Sequence, residues 1–473
     1  MVFSSYYFLF HFLPVFLLLY FLAPKRLQNL IALLGSAFFY AWGAPEFFFV
    51  VFTSLIIDFY LVRMNCIAEG ILRKRLLWTA VGLNVLILII AKYLNFFTNS
   101  VNEVLTTFSI AGIPAANIVL PIGISFITFQ KISYVLDCHS GKAKPEENFV
   151  NYALYILLFP QLIAGPIVRF REIALQLRDR TANDDIENKL AGFFRFIIGL
   201  AKKILIANVL GEAVDEIFAL PEEHFTTATA WLGIIAYSFQ IYFDFSGYSD
   251  MAIGVALMLG YRFPENFNFP YISQNITEFW RRWHITLSNW MRDYLYIPLG
   301  GNRVSTRRLY INLATVFLIS GLWHGAAWTF VFWGAFHGLF LILDRLFLMN
   351  WLKKIGKIPA VFVTYMVVLV GWVFFRSATF EQAFQYTAQM FSFDGFYLNV
   401  FVTNKFWFTL FLAIIFSFSG IYKKIETLPE RFFSGESHWS FLLLKTVFSA
   451  VLGLLCIAEM LTSDFNPFIY FKF

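Results

Sequence analysis

Charged residues are scarce in this sequence. Only 14% of its 473 residues are Asp, Glu, Lys or Arg, whereas 59% are hydrophobic and 20% are aromatic. A soluble domain carries about 25% charged residues, so this chain cannot cover itself with a hydrated surface. It contains instead many apolar runs of bilayer length, each needing about 20 residues to cross the hydrocarbon. The sequence therefore predicts an all-α polytopic membrane protein in contact with membrane lipids.

Cysteine and the common catalytic motifs are also scarce or absent. Cys66, Cys138 and Cys456 lie far apart and form no metal-ligand or redox spacing. The sequence has no H-E-x-x-H motif, no Walker A loop and no G-x-S-x-G elbow. We therefore expect no metal and no permanently bound cofactor, and Ser or Cys nucleophilic catalysis has no support. The net charge of +6 is spread along loops and does not imply nucleic acid as a partner.

The apolar runs define the candidate spans, with boundaries good to a few residues. They are 6–23, 29–42, 45–62, 77–96, 118–136, 149–168, 191–211, 227–260, 309–323, 326–343, 359–375, 405–421 and 441–461. We interpret 149–168 and the pair of runs around residue 324 as candidate re-entrant segments. The run 227–260 is long enough to be tilted, broken or two pieces. We expect roughly ten to twelve true crossings. The whole chain, 1–473, is predicted to form a single membrane domain.

Lys and Arg clusters alternate with weakly charged or acidic loops, and Lys/Arg bias marks the cytoplasmic side. Lys25 and Arg26 follow the first apolar run, which has no basic segment before it. We therefore interpret that run as a retained span rather than a signal peptide, with the N-terminus extracytoplasmic. The same rule places the large basic segment 261–308 in the cytoplasm.

Aromatic and basic residues alternate within segment 261–308. Arg281, Arg282 and Arg292 lie among tryptophans and tyrosines, and Phe279, Trp283, Leu287 and Trp290 recur at helical spacing. This pattern predicts amphipathic helices that lie in the membrane interface. A cytoplasmic connector anchored by an aromatic belt explains it equally well. His284 lies inside the segment, and a lone histidine is more often structural than catalytic.

The stretch from Leu309 to Leu343 contains no Asp, Glu, Lys or Arg. His324 lies near its middle between Gly321 and Gly325, and a helix over 309–323 places it about 24 Å from the cytoplasmic end. An ionisable residue at that depth is a functional-site candidate, although an imidazole hydrogen-bonded between helices is the alternative. His337 lies 13 residues further on, on a different helix face, and is interpreted as structural or supporting. Asp244 and Asp250 lie in an apolar run, so each carboxylate requires a partner.

Several long motifs resemble the bacterial branch of the membrane-bound O-acyltransferase (MBOAT) family, of the alginate O-acetyltransferase AlgI type. The resemblance lies in NITEFWRRWHITLSNWMRDYLYIPLGGNR and SGLWHGAAWTFVFWGAFHG, and extends to PIGISFITFQKISYVLD, LYILLFPQLIAGPIVRF and QIYFDFSGYSDMAIGVALMLGYRFPENFNFPY. It covers nearly the whole chain. It implies a helical bundle around a central funnel or tunnel, which a donor enters from the cytoplasm and an acceptor from outside. The invariant histidine of the family matches His324, and its second characteristic polar position matches His284.

The resemblance implies an acyltransferase of the bacterial inner membrane. The acyl donor would be acetyl-CoA or another acyl thioester, and the acceptor an extracytoplasmic polysaccharide such as alginate, with a separate extracytoplasmic acetyltransferase as partner. Imidazole, with a pKa near neutrality, is suited to take the proton of a sugar hydroxyl. His324 would act as base or relay and His284 would position the donor. Arg281, Arg282, Trp283 and Arg292 are candidates for the donor side, since guanidinium groups bind phosphates.

Two alternatives stay open at this point. The first is the same family with another acyl group, such as D-alanine passed from a carrier protein to a teichoic acid-like polymer. The second is a transporter or flippase in which His324 only lines a pathway. Direct transfer and an acyl-histidine intermediate are both compatible with the sequence.

Overall fold

The computed structural model describes residues 2–114, 117–221, 224–433, 439–463 and 465–469. Within these ranges the secondary structure is helical, without strands. The prediction of an all-α membrane protein is confirmed. By their contacts the residues group into two compact units, Met1–Asp185 with Leu259–Phe263, and Ile186–Met258 with Pro264–Phe473. The single membrane domain over 1–473 stays a prediction.

The first unit consists of helices joined by short turns. They are α1 Leu13–Leu22, α2 Lys25–Gly43, α3 Pro45–Ile67, α4 Gly70–Leu88, α5 Leu94–Thr107, α6 Ile124–His139, α7 Phe149–Leu157, α8 Phe159–Leu162 and α9 Phe170–Arg178. The predicted span 149–168 is broken into α7 and α8. A buried ion pair joins α3 to α6, where Lys131 Nζ lies 3.0 Å from Asp58 Oδ2. Sequence analysis did not identify this pair.

The second unit contains the helices that carry both candidate histidines. They are α10 Ile186–Ala201, α11 Val209–Phe218, α12 Thr227–Met258, α13 Ile276–Arg282, α14 Ile285–Met291, α15 Thr306–His324, α16 Trp328–Leu343, α17 Met349–Ile355, α18 Lys357–Arg376, α19 Phe380–Met390, α20 Asn404–Phe418, α21 Lys423–Glu426, α22 Leu428–Phe432 and α23 Trp439–Thr462. The predicted span 227–260 is one unbroken helix, α12, rather than two pieces.

Six helices of the described ranges are long and apolar enough to cross a membrane. They are Pro45–Ile67, Gly70–Thr107, Trp328–Ile355, Lys357–Arg376, Asn404–Ile421 and Trp439–Thr462. The second combines α4 and α5 through a π-helical turn, the third combines α16 and α17 in the same way, and the fifth continues α20 through a 3-10 turn. The other predicted spans fall on helices that are shorter, less apolar or more charged, so the figure of ten to twelve crossings stays a prediction.

Helices α10 and α12 approach each other closely because glycines face each other at two places seven residues apart. A Cβ atom added to Gly192 would lie 2.5 Å from the carbonyl oxygen of Gly254, and one added to Gly199 would lie 2.5 Å from that of Gly247. Both distances are shorter than any side-chain contact allows. Small residues at such crossings let two backbones pack directly.

The two carboxylates on α12 have the partners that the sequence required. Asp244 Oδ1 lies 2.7 Å from Lys203 Nζ, and both side chains are buried. Asp250 accepts hydrogen bonds from Lys202 at 2.6 Å and from Arg195 at 2.8 Å. The three cations lie on α10 and on the π-helical turn that follows it, so these pairs and the glycine contacts hold the same two helices together.

Candidate functional site

His324 is the last residue of α15, about 27 Å along the helix from Thr306. Its side chain is buried. The imidazole ring packs edge-on against Trp333 at 4.9 Å and Trp323 at 5.0 Å, and against Phe375 at 5.4 Å, between ring centroids. Helices α15, α16 and α18 therefore contribute the walls around this ring.

The glycines beside His324 serve close helix packing. A Cβ atom added to Gly321 would lie 2.3 Å from the carbonyl oxygen of Phe330, and one added to Gly334 would lie 2.3 Å from that of Phe317. Helices α15 and α16 can thus turn back on each other through residues 325–327. The uncharged stretch from Leu309 to Leu343 is too short for two full spans and a loop. This close packing lets it form parts of two helices, with His324 at the turn between them.

His284 lies at a break between two short helices. Trp283 is extended, with φ −101° and ψ 128°, and His284 has a left-handed conformation with φ 44°. A non-glycine residue with positive φ cannot continue an α-helix, so α13 ends and α14 begins here. The stripe predicted from the helical spacing of Phe279, Trp283 and Leu287 is therefore divided between two helices, and all three side chains are buried. Such conformations are held only where surrounding contacts stabilise them.

The contacts that hold His284 come from residues outside its own helices. Its Nδ1 atom lies 3.0 Å from Asn266 Oδ1. Its ring packs edge-on against Phe245 of α12, at 4.8 Å between centroids. Complete burial lowers the pKa of His284 to about 3, because a charged imidazolium would lose its hydration there. His284 is therefore a neutral imidazole at physiological pH.

The structure brings His284 and His324 together, 6.5 Å apart between ring centroids. A ring nitrogen lies about 1.2 Å from its centroid, so the nitrogens of the two rings come no closer than about 4 Å, which excludes a direct hydrogen bond. A group the size of a hydroxyl or water can bridge them. We call the region around the two rings, which is lined by Phe245, Trp323, Trp333 and Phe375, the chamber.

The four candidate donor-side residues have different surroundings. Arg281 is exposed. Arg282 binds Glu278 at 2.9 Å and Glu426 at 2.7 Å, and Arg292 binds Asp293 at 2.9 Å.

Trp283 differs from these arginines because it is buried, in an aromatic cluster with Phe267, Trp372 and Phe279. Arg281 and Arg292 are both exposed, but Arg292 pairs with Asp293, whereas Arg281 makes no ion pair with a residue of the described ranges. Their binding of a donor stays a prediction.

Sequence analysis missed Asn266 and Trp333. Asn266 lies in the irregular stretch between α12 and α13, where no periodicity marks a buried residue; its side chain is 1% exposed. Trp333 lies between the rings of His324 and His337, at 4.9 and 5.0 Å from their centroids. His337 is buried and its ring also lies 5.1 Å from that of Trp280. A structural or supporting role for His337 stays a prediction. The sequence offered only one indication for Trp333, which is that it lies close to His324 in the chain, nine residues further on.

Comparison with known proteins is consistent with this site. Residues 144–380, which include both histidines and Asn266, match the family model described as MBOAT, membrane-bound O-acyltransferase family.

The chain is 40% identical to the probable alginate O-acetylase AlgI of Pseudomonas putida over the full length of both proteins. It is 45% identical to the protein of that name from Pseudomonas aeruginosa, over 84% of this chain and 76% of the relative. It is 37% identical to the peptidoglycan O-acetyltransferase of Helicobacter pylori, over 84% of this chain and 80% of the relative. The chain therefore belongs to the membrane-bound O-acyltransferase family and is an integral membrane O-acyltransferase.

Proposed function

We propose that this protein O-acetylates an extracytoplasmic polysaccharide, with acetyl-CoA or another acyl thioester as the cytoplasmic donor. The observation that carries the proposal is the pair of buried histidines, 6.5 Å apart, inside the segment that matches the family model. The names of the relatives, alginate O-acetylase and peptidoglycan O-acetyltransferase, support acetyl as the group and a polysaccharide as the acceptor.

In the proposed reaction the acceptor oxygen attacks the thioester carbonyl carbon. A carbon–oxygen bond forms and the carbon–sulfur bond breaks. The hydroxyl proton passes to His324 and from there to the leaving thiolate, so the products are an ester and a free thiol. A base positioned beside the hydroxyl contributes typically 10²- to 10⁴-fold to such a step.

The surroundings of His324 suit this role. Its ring lies among Trp323, Trp333 and Phe375, which keep bulk water away from the reacting atoms. Interactions with developing charge are stronger in such a dry site than in water. The indole N–H of Trp333 makes no hydrogen bond within the described ranges and is a candidate donor to the thioester oxygen.

His284 would position rather than exchange protons. Burial lowers the pKa of His284 to about 3, so at neutral pH it is a neutral imidazole that accepts or donates hydrogen bonds. We assign it to hold the reacting group, or a bridging water, against His324. We place Arg281 at the donor phosphates, because Arg282 and Arg292 already bind carboxylates. A separate extracytoplasmic protein would complete transfer to the polymer, and the N-terminus would lie on that side of the bacterial inner membrane.

The donor is tested with purified protein in nanodiscs. Radiolabelled acetyl-CoA and a D-alanyl carrier protein are offered in parallel, each with an oligosaccharide acceptor and a concentrate of the extracytoplasmic proteins. We expect acetyl transfer that requires His324, together with release of free thiol. Transfer of D-alanine alone would refute acetyl-CoA as the donor. Passage of acceptor across the bilayer without acylation, retained in His324→Ala, would favour a transporter.

A further inference from the structure

Asn266 is held between two elements of the second unit, helix α12 and the start of helix α14 with its cap residue His284. Its side chain is 1% exposed, and its Nδ2 donates a hydrogen bond to Ser249 Oγ of α12 at 3.0 Å. Its Oδ1 accepts from Thr286 Oγ1 of α14 at 2.9 Å and faces His284 Nδ1 at 3.0 Å. The backbone is tied to the same place, since the N–H of Ile285 donates to the carbonyl oxygen of Asn266 at 3.0 Å. A side chain with this many partners has one orientation.

These contacts also decide which atom of the amide faces His284. The backbone N–H of Thr286 lies 3.3 Å from Asn266 Oδ1 and can only donate. The atom it faces must therefore be the amide oxygen rather than the nitrogen. Because the oxygen can only accept, the Nδ1 atom of His284 must carry a hydrogen to bond to it.

The second ring nitrogen of His284 then has a defined state. A neutral imidazole carries one hydrogen, so Nε2 is left with a free lone pair. This atom is buried and makes no hydrogen bond with any residue of the described ranges. The nearby ring that can exchange hydrogen bonds through a bridging group is His324. His284 is thereby prepared to accept a hydrogen bond inside the chamber.

We propose that Asn266 is a positioning residue that locks His284 in the Nδ1–H tautomer, so that its Nε2 accepts a hydrogen bond from the substrate hydroxyl or from a water that bridges to His324. This rests on the proposed acyl transfer. Asn266 acts through His284 and does not touch the reacting atoms. The left-handed backbone of His284 serves the same end, because it turns the ring out of the helical path and towards Asn266.

The tautomer is measured without turnover, by ¹⁵N NMR of histidine-labelled protein in nanodiscs, with His284→Gln to assign the signal among the seven histidines. We expect a protonated Nδ1 and an unprotonated Nε2 in wild type, and a mixture of tautomers in Asn266→Leu. A wild-type spectrum with the hydrogen on Nε2, or an imidazolium at neutral pH, overturns the proposal. The wild-type spectrum alone tests which nitrogen of His284 carries the hydrogen, even if Asn266→Leu does not fold.

Activity supplies the second test, as a double-mutant cycle. Asn266→Leu should lower kcat by about 10- to 100-fold with little change in the donor KM, by analogy with the loss on removing a partner that orients a metal-bound histidine. The same change in a His284→Gln background should cost no further activity. An equal loss in both backgrounds would show a merely structural role.

Asn312→Leu is the matched control, since Asn312 is an equally buried asparagine that bonds only backbone oxygens, of Leu299 and Gly301. It should leave the His284 signal unchanged. A shifted His284 signal in this variant would contradict the assignment of the lock to Asn266. Absence of acetyl transfer in wild type would refute the proposed function and leave the tautomer result standing.

Discussion

The crossing of α10 and α12 allows a quantitative test of the fold around the site. Adding a single methyl group to Gly199 would place a Cβ atom 2.5 Å from the carbonyl oxygen of Gly247 and 2.7 Å from the amide nitrogen of Met251. Both are backbone atoms, so the clash is relieved only by moving one helix away from the other. Overpacking of this kind costs about 1–3 kcal/mol.

The matched control is Gly82, a helical glycine of α4. A Cβ atom there has no neighbour within 4 Å. Gly82→Ala should therefore be neutral or stabilise the protein by up to about 1 kcal/mol, which is the difference in helix propensity between glycine and alanine. The two substitutions change the same atoms in the same residue type, and only the surroundings differ.

The assay is thermal unfolding of purified protein in detergent, followed by acetyl transfer at a permissive temperature. For a large chain about 1 kcal/mol corresponds to about 2 °C, so Gly199→Ala should lower Tm by about 2–6 °C. Activity should fall as well, because α12 carries Phe245 and Ser249, which contact His284 and Asn266. Equal Tm values for Gly199→Ala and Gly82→Ala would refute direct packing of α10 on α12.

Three further predictions concern charged and titratable groups. Lys203→Met should destabilise the protein by about 3–5 kcal/mol, because it leaves the buried carboxylate of Asp244 without its cation. The double variant Lys203→Met/Asp244→Leu should be destabilised less, and equal losses in Tm for the two variants would contradict this. The pKa of His284 is about 3 in the folded protein and about 6.5 unfolded, so stability falls as pH falls below about 6.5. Wild type should lose about 2 kcal/mol more than His284→Gln between pH 7.5 and pH 5, and parallel Tm curves would contradict that. Arg281→Ala should raise the donor KM with little change in kcat, and an unchanged KM would remove Arg281 from the donor site.

Composition and apolar run length were sufficient to predict the fold class, and several predicted spans coincide with helices, although 149–168 is broken and 118–136 is helical only from Ile124. The span 45–62 lies within α3 and 441–461 lies within α23. Hydropathy could not show that α12 continues unbroken through Asp244 and Asp250, because the cations that pair with these carboxylates lie about 50 residues away in the sequence.

For the site, the position of His324 in the middle of an uncharged apolar run was enough to single it out, even without the family resemblance. His284 was singled out by its aromatic, basic surroundings and the family resemblance, but helical spacing could not show that one helix ends and the next begins at this residue. The left-handed conformation at His284 is stabilised by long-range contacts to Asn266, which no local pattern encodes. Asn266 was missed for the same reason, because its hydrogen-bond partners come from two other parts of the chain, Ser249 of α12 and residues 284–286.

The measurement that tests the central claim most directly is polymer-bound acetate in cells that express wild type, His324→Ala or His284→Ala at equal membrane levels. Asn312→Leu serves as the control for a buried polar change outside the chamber. The account predicts acetate in wild type, none above background in His324→Ala, and a strong reduction in His284→Ala. Wild-type acetate in His324→Ala at equal protein abundance would contradict His324 as the centre of the reaction.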